Sequence, residues 1–296
     1  MKPDIWIDGQ FIPWNKAYIH PLCHSLQRGA TLFESIDCIE TENRHAAIFR
    51  LHDHIKRFEN SSRIIEIPLK YSLEELIKAV IDTVARSGLK TCTIRPLALY
   101  VDPVLDIYPG DSKVSVIIGL GEKEKIKDSI KMNISHLRKI ESASMPIKAK
   151  VSGNYIGPMI AKSQSIKQGF DDTIILDRDG FVAEGSTSNI FIVENDTLKT
   201  APGDKILQGI TRNTIIVLSE KLGINLIQEQ FSPESLKKAD EVFMCSSGKG
   251  VMPVIQVDNV KISDGNPGPI TKRLRSYYFD VKTGRVPEFE NWLTFV

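Results

Sequence analysis

Cysteine is scarce and unpatterned in this sequence. Cys23, Cys38, Cys92 and Cys245 are scattered through 296 residues without metal-ligand spacing. In a chain this long that pattern fits reduced thiols in a cytoplasmic protein better than a disulfide framework. An excess of one charge is lacking too. Lys plus Arg number 38 against 37 Asp plus Glu, so no bulk field draws the chain to nucleic acid or an anionic membrane, and any anion site must be local. The start, Met1-Lys2-Pro3-Asp4-Ile5-Trp6, has no apolar signal core, and no hydrophobic run approaches the length of a membrane span. A P-loop, a GxGxxG after a strand and an internal repeat are all missing, which removes the common nucleotide-binding and solenoid readings. What is present, 42% hydrophobic and 25% charged residues, is the composition of a soluble globular protein. Its length is great for one hydrophobic core, so one large or two smaller domains are expected.

Strand and helix signals alternate along the chain, which points to an α/β (α+β) fold. Ile5-Trp6-Ile7 and Phe11-Ile12-Pro13-Trp14 flank Asp8-Gly9, a tight-hairpin pair. Thr31-Leu32-Phe33-Glu34-Ser35-Ile36 ends a mixed stretch as a strand carrying Phe33. A helix is predicted over residues 51–63, with Leu51, Ile55 and Phe58 at helical spacing. Its His52 and His54 diverge at i and i+2 and read as surface or supporting groups rather than metal ligands. Ser72-Leu73-Glu74-Glu75 is a capping-box helix start, and Gly88 supplies the stop. Strands follow over 91–100 and 114–120. The charged run Gly121-Glu122-Lys123-Glu124-Lys125 then breaks the pattern, giving an N-terminal α/β domain over 1–120, a linker over 121–128 and a C-terminal domain over 129–296.

Several stretches carry chemistry. Lys148-Ala149-Lys150-Val151-Ser152-Gly153-Asn154-Tyr155 puts a lysine and a tyrosine at a small-residue turn, a setting suited to Schiff-base formation with a carbonyl. A surface basic pair before a helix has the same appearance. Arg95, inside an apolar strand, needs a partner, either a protein carboxylate or a bound anion. Glu184-Gly185-Ser186-Thr187-Ser188-Asn189 delivers an acid from a strand end into a small-residue loop. Gly209-Ile210-Thr211-Arg212 opens a helix, where unpaired N–H groups and the helix dipole favour an anion. Ser246-Ser247-Gly248 offers a second, hydroxyl-rich wall.

Taken together and in order, Arg57, Arg95-Pro96-Leu97, Lys150 to Tyr155, Glu184 to Asn189, Leu207 to Arg212 and Glu241-Val242-Phe243-Met244 resemble the class IV, branched-chain-type aminotransferases. These enzymes depend on pyridoxal 5'-phosphate. The resemblance extends to Gly268-Pro269-Ile270-Thr271-Lys272-Arg273 and Trp292. It implies the two-domain fold type IV architecture, with the cofactor at the domain interface, in a homodimer or higher homo-oligomer. It makes Lys150, rather than Lys148, the Schiff-base lysine and proton carrier. Glu184 becomes the partner of the pyridine nitrogen, Tyr155 the partner of the ring's phenolic oxygen, and Arg57, Ile210, Thr211 and Ser247 the phosphate cup.

For the substrate the resemblance implies Phe33 and Arg95, in the branched-chain form. Arg28 stands where a tyrosine is usual, and Thr93 replaces another tyrosine. A lost aromatic wall weakens apolar side-chain binding, where a methylene is worth only about 1–3 kcal/mol. Arg28 could hold a substrate carboxylate or be a salt-bridged arginine at the rim. The expected reaction passes an amino group from an amino acid, a branched-chain L-amino acid by preference, to a 2-oxo acid such as 2-oxoglutarate in two half-reactions. Three alternatives share the motifs: a D-amino acid or (R)-amine transaminase, 4-amino-4-deoxychorismate lyase, and a non-catalytic cofactor-binding scaffold.

Overall fold

The computed structural model describes residues 2–123 and 125–296. Met1, and Glu124 in the charged linker expected over 121–128, lie outside the described residues. The chain divides into two compact units. One comprises Met1–Glu124, Ala149–Gly153 and Val281–Val296, the other Lys125–Lys148 and Asn154–Asp280. The division is thus no single cut of the chain. A five-residue piece around Lys150 and the C-terminal segment both return to the first unit.

The first unit is built on an 8-stranded sheet in the order Leu293–Phe295, Ala46–Phe49, Ile36–Glu40, Cys92–Tyr100, Val114–Gly121, Ile5–Ile7 and Gln10–Ile12, with Leu32–Phe33 also pairing Cys92–Tyr100. The Asp8-Gly9 hairpin forms as the sequence predicts, with Ile7 opposite Gln10. Asp8 (φ 50°) and Gly9 (φ 92°) both take the positive φ that a two-residue turn of this kind demands. Two helices, Leu51–Ile64 and Leu73–Ser87, supply apolar faces to the core. Leu51, Ile55, Phe58, Leu76, Val80 and Val84 join Leu32, Ile36, Ile48, Ile94 and Ile118 there. The capping box is complete. Ser72 Oγ accepts from the Glu75 N–H at 3.2 Å, and the Glu75 carboxylate accepts from the Ser72 N–H at 2.7 Å.

The second unit holds a 9-stranded sheet. Its strands Val182–Gly185, Asp172–Leu176, Ile130–Arg138, Gly250–Val257, Glu241–Ser246 and Asn189–Glu194 follow one another, and the last pairs back to the first. The sheet therefore closes on itself, and the closing pair is Glu184 opposite Asn189. Inward residues such as Met132, Ile174, Ile190, Ile192, Met244 and Met252 fill the interior. A closed sheet leaves no open edge along this circuit, and its mouth is a natural place for a ligand. The helix Ile156–Lys167 packs on two of these strands, and Ile210–Lys221 on the strand Glu241–Ser246.

Candidate active site

In the first unit the site is organised by residues 149–151. Ala149 and Val151 are buried at 2% and 4% exposure. Lys150 between them is half-buried. Val151 bridges antiparallel to Leu32. The Phe33 N–H donates to the Lys150 carbonyl at 3.1 Å, and the Lys150 N–H donates to Ser61 Oγ at 3.0 Å. Lysine backbone, strand and helix are thereby stitched together. The Lys150 ammonium lies 4.5 Å from the Phe33 ring centroid, and the Arg95 guanidinium carbon 5.5 Å from it. One aromatic ring is thus close to both cations. The structure corrects one expectation here. Arg95 is exposed, on the outward phase of its strand between buried Ile94 and Pro96, so no buried charge needs compensation.

Arg57, on the helix Leu51–Ile64, makes a two-pronged ion pair with Glu34, Nε to Oε1 at 2.6 Å and Nη2 to Oε2 at 2.8 Å. His54, one turn earlier on the same face, meets the same carboxylate through Nδ1 at 2.8 Å. Glu34 is completely buried, and His54 is 1% exposed. Burial pushes the Glu34 carboxyl up, but the Arg57 charge and the hydrogen bonds from His54 and Arg57 outweigh it and hold it well below the usual carboxylate range. Burial depresses His54 despite the carboxylate beside it, with the Arg57 and Lys150 charges adding to the effect. His52, by contrast, is exposed; of the two histidines only it matches a surface reading. Arg28 is exposed at the end of the short helix His24–Arg28 and donates to the Leu105 carbonyl at 2.5 Å. Among the described residues it has no protein carboxylate as partner.

In the second unit Asn189 is the organiser. It closes the sheet against Glu184 and lies opposite Cys245 on the strand that runs into Ser246 and Ser247. Its side-chain amide donates to the Leu207 carbonyl at 3.1 Å. A Cβ at Gly209 would overlap Asn189 Oδ1, so only glycine lets the start of the helix Ile210–Lys221 come this close. That glycine is also the N-cap and has no side chain to cap the helix. The first-turn N–H groups, those of Ile210 and Thr211 among them, lack intrahelical acceptors and lie where a helix attracts an anion. Thr211 is buried and Ser247 half-buried. Glu184 is paired with Lys139. A carboxylate has about four lone-pair sites, so this pair does not exhaust it. Tyr155 stands at the N-terminal end of the helix Ile156–Lys167.

A further buried acid ties these elements together. Asp172, with no exposed surface, accepts from Lys162 and Lys249, both at 3.2 Å, and from Ser186 Oγ at 2.5 Å. Burial would raise its pKa, but Lys249, Ser186 and Lys162 lower it below the usual range. It therefore joins the helix that starts at Tyr155, the loop after Glu184 and the turn at Ser247.

The first unit thus brings together Arg57, Lys150, Phe33 and Arg95, and the second brings Glu184, Ile210, Thr211 and Ser247 around Asn189. The first unit offers an amine and a guanidinium, and the second a carboxylate, a phenol and an uncapped helix start. Sequence reasoning passed over Glu34, Ser61, Lys139 and Asp172, and named Asn189 only as the end of the Glu184 stretch. For Glu34 a signal existed, since it shares the phase of Leu32 and Ile36 and puts an acid on an apolar face.

The chain matches the family described as Amino-transferase class IV over residues 31–257. It is 32% identical over 298 residues to the branched-chain-amino-acid aminotransferase of Escherichia coli K12, covering 98% of this chain and 96% of that one. The crystal structure of the T.th. branched-chain amino acid aminotransferase complexed with N-(5'-phosphopyridoxyl)-L-glutamate superposes with a TM-score of 0.95. Its identity is 35%, over 99% of this chain and 98% of that chain. The branched-chain aminotransferase of Thermoproteus uzoniensis, solved with norvaline, gives 0.96 at 32% identity over 100% and 99%. With a family match over most of its length and relatives that it covers almost end to end, the chain belongs to the class IV aminotransferases.

Proposed function

We propose that the chain is a pyridoxal 5'-phosphate-dependent transaminase that moves an amino group between a branched-chain L-amino acid and a 2-oxo acid such as 2-oxoglutarate. The observation that carries this reading is the fixation of Lys150. Its backbone is hydrogen-bonded on both sides, and its amine lies beside Phe33. The names of the relatives add the branched-chain preference, and the phosphopyridoxyl adduct in the T.th. structure adds the cofactor.

Lys150 would hold the cofactor covalently, and Tyr155 would bond its phenolic oxygen. Glu184 would bond its ring nitrogen. Arg57, the Ile210 and Thr211 N–H groups and the Ser247 hydroxyl would take its phosphate. Bound there, the cofactor supplies an electron sink that makes the substrate Cα–H acidic. Lys150 Nζ then accepts the Cα proton and returns it, a task for a tethered amine. Glu184, an anion, raises the proton affinity of whatever nitrogen it faces. Phe33 supplies an apolar wall and Arg95 a cation for the acidic partner substrate. Arg28, engaged with the Leu105 carbonyl, sets the exposed rim.

The active form in this reading is a homodimer or larger homo-oligomer. Ile156, Met159 and Ile160 are 57%, 61% and 41% exposed on one helix face, and Leu105, Ile107 and Tyr108 are 65%, 74% and 74% exposed in one loop. Apolar surface of this kind calls for a partner, and a second copy supplies it. Four free, buried cysteines support a cytoplasmic setting. Among the described residues no helix is long and apolar enough to cross a membrane.

The test is the absorbance spectrum of the purified protein with pyridoxal 5'-phosphate, before and after L-leucine, D-alanine or (R)-1-phenylethylamine. Bleaching of a yellow band by L-leucine is expected. Bleaching by D-alanine or the amine alone would replace the branched-chain reading with the D-amino acid or amine one. Pyruvate release from 4-amino-4-deoxychorismate without an acceptor would make the protein a lyase. With no band at all, the assignment of Lys150 fails.

A further inference from the structure

We propose that Glu34 and His54 are positioning residues for Arg57, a buried anchor that presets the guanidinium for a phosphoryl ligand. The inference rests on the reading that Arg57 takes the cofactor's phosphate, and deepens it.

The anchor is itself immobile. Glu34 has no exposed surface, and its own N–H donates to the Pro96 carbonyl at 2.9 Å on the neighbouring strand. Its carboxylate accepts from the Ser35 N–H at 3.2 Å, from His54 Nδ1 and from two Arg57 nitrogens. A two-pronged arginine–carboxylate pair fixes the plane of the guanidinium as well as its distance, which a single contact does not. The pair engages two of the five N–H donors of the arginine. An arginine ordered on folding gives up its side-chain freedom before a ligand arrives, so binding no longer has to order it.

Protonation supports the same role. Glu34 stays ionised in the folded protein because the Arg57 charge and the hydrogen bonds from His54 and Arg57 outweigh its burial. His54 is depressed by that burial. Facing an ionised carboxylate, its neutral ring carries the proton on Nδ1, so that this nitrogen donates to Glu34. The three groups then sum to zero charge. His54 holds the carboxylate to one side while Arg57 holds it from the other, and neither rotates without breaking a buried bond.

The experiment is a double-mutant cycle on the full-length apoprotein. Dissociation constants for pyridoxal 5'-phosphate and, separately, for inorganic phosphate are read by calorimetry for wild type, Glu34→Gln, Arg57→Gln and the double variant. Glutamine keeps the volume of Glu34 but offers one acceptor oxygen instead of two. Glu34→Gln is expected to weaken cofactor binding roughly tenfold or more. In the Arg57→Gln background the same change should alter it by less than about threefold. Thermal unfolding of each variant checks that the fold is kept; if Glu34→Gln does not fold, Glu34→Asp and His54→Ala are read in the same cycle. Wild-type affinity in the Glu34 variants, or an equal loss in both Arg57 backgrounds, would overturn the proposal. Should Arg57→Gln itself leave both affinities unchanged, the phosphate assignment of Arg57 falls, and the positioning role with it.

Discussion

Lys148 and Lys150 are two residues apart, but Lys148 is exposed while Lys150 is half-buried beside Phe33. Lys150→Ala should abolish turnover, whereas Lys148→Ala should leave kcat within about twofold, as for most surface changes. Steady-state kinetics of the two variants decides it, and multiple turnover retained in Lys150→Ala would remove this lysine from the mechanism. Gly209 is a second single-residue test. A methyl there overlaps Asn189 Oδ1, and overpacking of this kind costs about 1–3 kcal/mol. Gly209→Ala should therefore lower the urea midpoint and weaken phosphate binding together; a stable variant with wild-type affinity would contradict the close approach. At this scale the motif residues were legible because each belongs to a local stretch. Arg95 was misjudged, since its apolar neighbours suggested burial and only the sheet shows which phase faces outward. The role of Glu34 was not legible, because its partners His54 and Arg57 arrive 20 and 23 residues later.

The helices were the most legible elements. Ser72 caps Leu73–Ser87 through the box that its sequence announces, and Ser72→Ala should cost about 1 kcal/mol in urea denaturation. No change in the midpoint would show that the cap carries no net stability. What the sequence concealed at this scale is how elements are tied to one another. Asp172 links a helix, a loop and a turn through Lys162, Ser186 and Lys249, whose partners are 10, 14 and 77 residues away. Asp172→Asn keeps the shape but leaves two lysines without their counter-charge, a loss of about 3 kcal/mol by analogy with broken buried pairs. Cofactor retention on gel filtration should fall with it, because Tyr155, Glu184 and Ser247 stand on the tied elements. Unchanged retention together with unchanged stability would refute the clamp.

Across the molecule, the lowered pKa values of Glu34 and Asp172 set the acid response. In an unfolded chain these groups bind protons near their ordinary values of 4.5 and 3.8, while in the fold they do so only at lower pH. Between the two, the unfolded state holds more protons, so stability falls as pH drops through that window and is fully present above it. Urea midpoints should decline from about pH 5 downward, and the decline should be shallower in Glu34→Gln, which has no proton to take up. A variant that parallels the wild type would show that Glu34 is not ionised in the fold. The division into two units was expected from length and from the charged run near Lys123. Its interleaving was not, since Ala149–Gly153 and Val281–Val296 belong to the first unit through pairings that no local pattern encodes.

By itself the sequence determined the helices, the hairpin, most strands and the identity of the chemical groups, because propensity, capping and turn chemistry act over a few neighbouring residues. Only the tertiary structure decided which of those groups are buried, which are paired and which are held still. Glu34 on Arg57, Asp172 on two lysines and Asn189 against Gly209 are contacts between segments distant in sequence. Packing alone brings such segments within hydrogen-bond reach, so their energetics cannot be written in any one stretch of the chain.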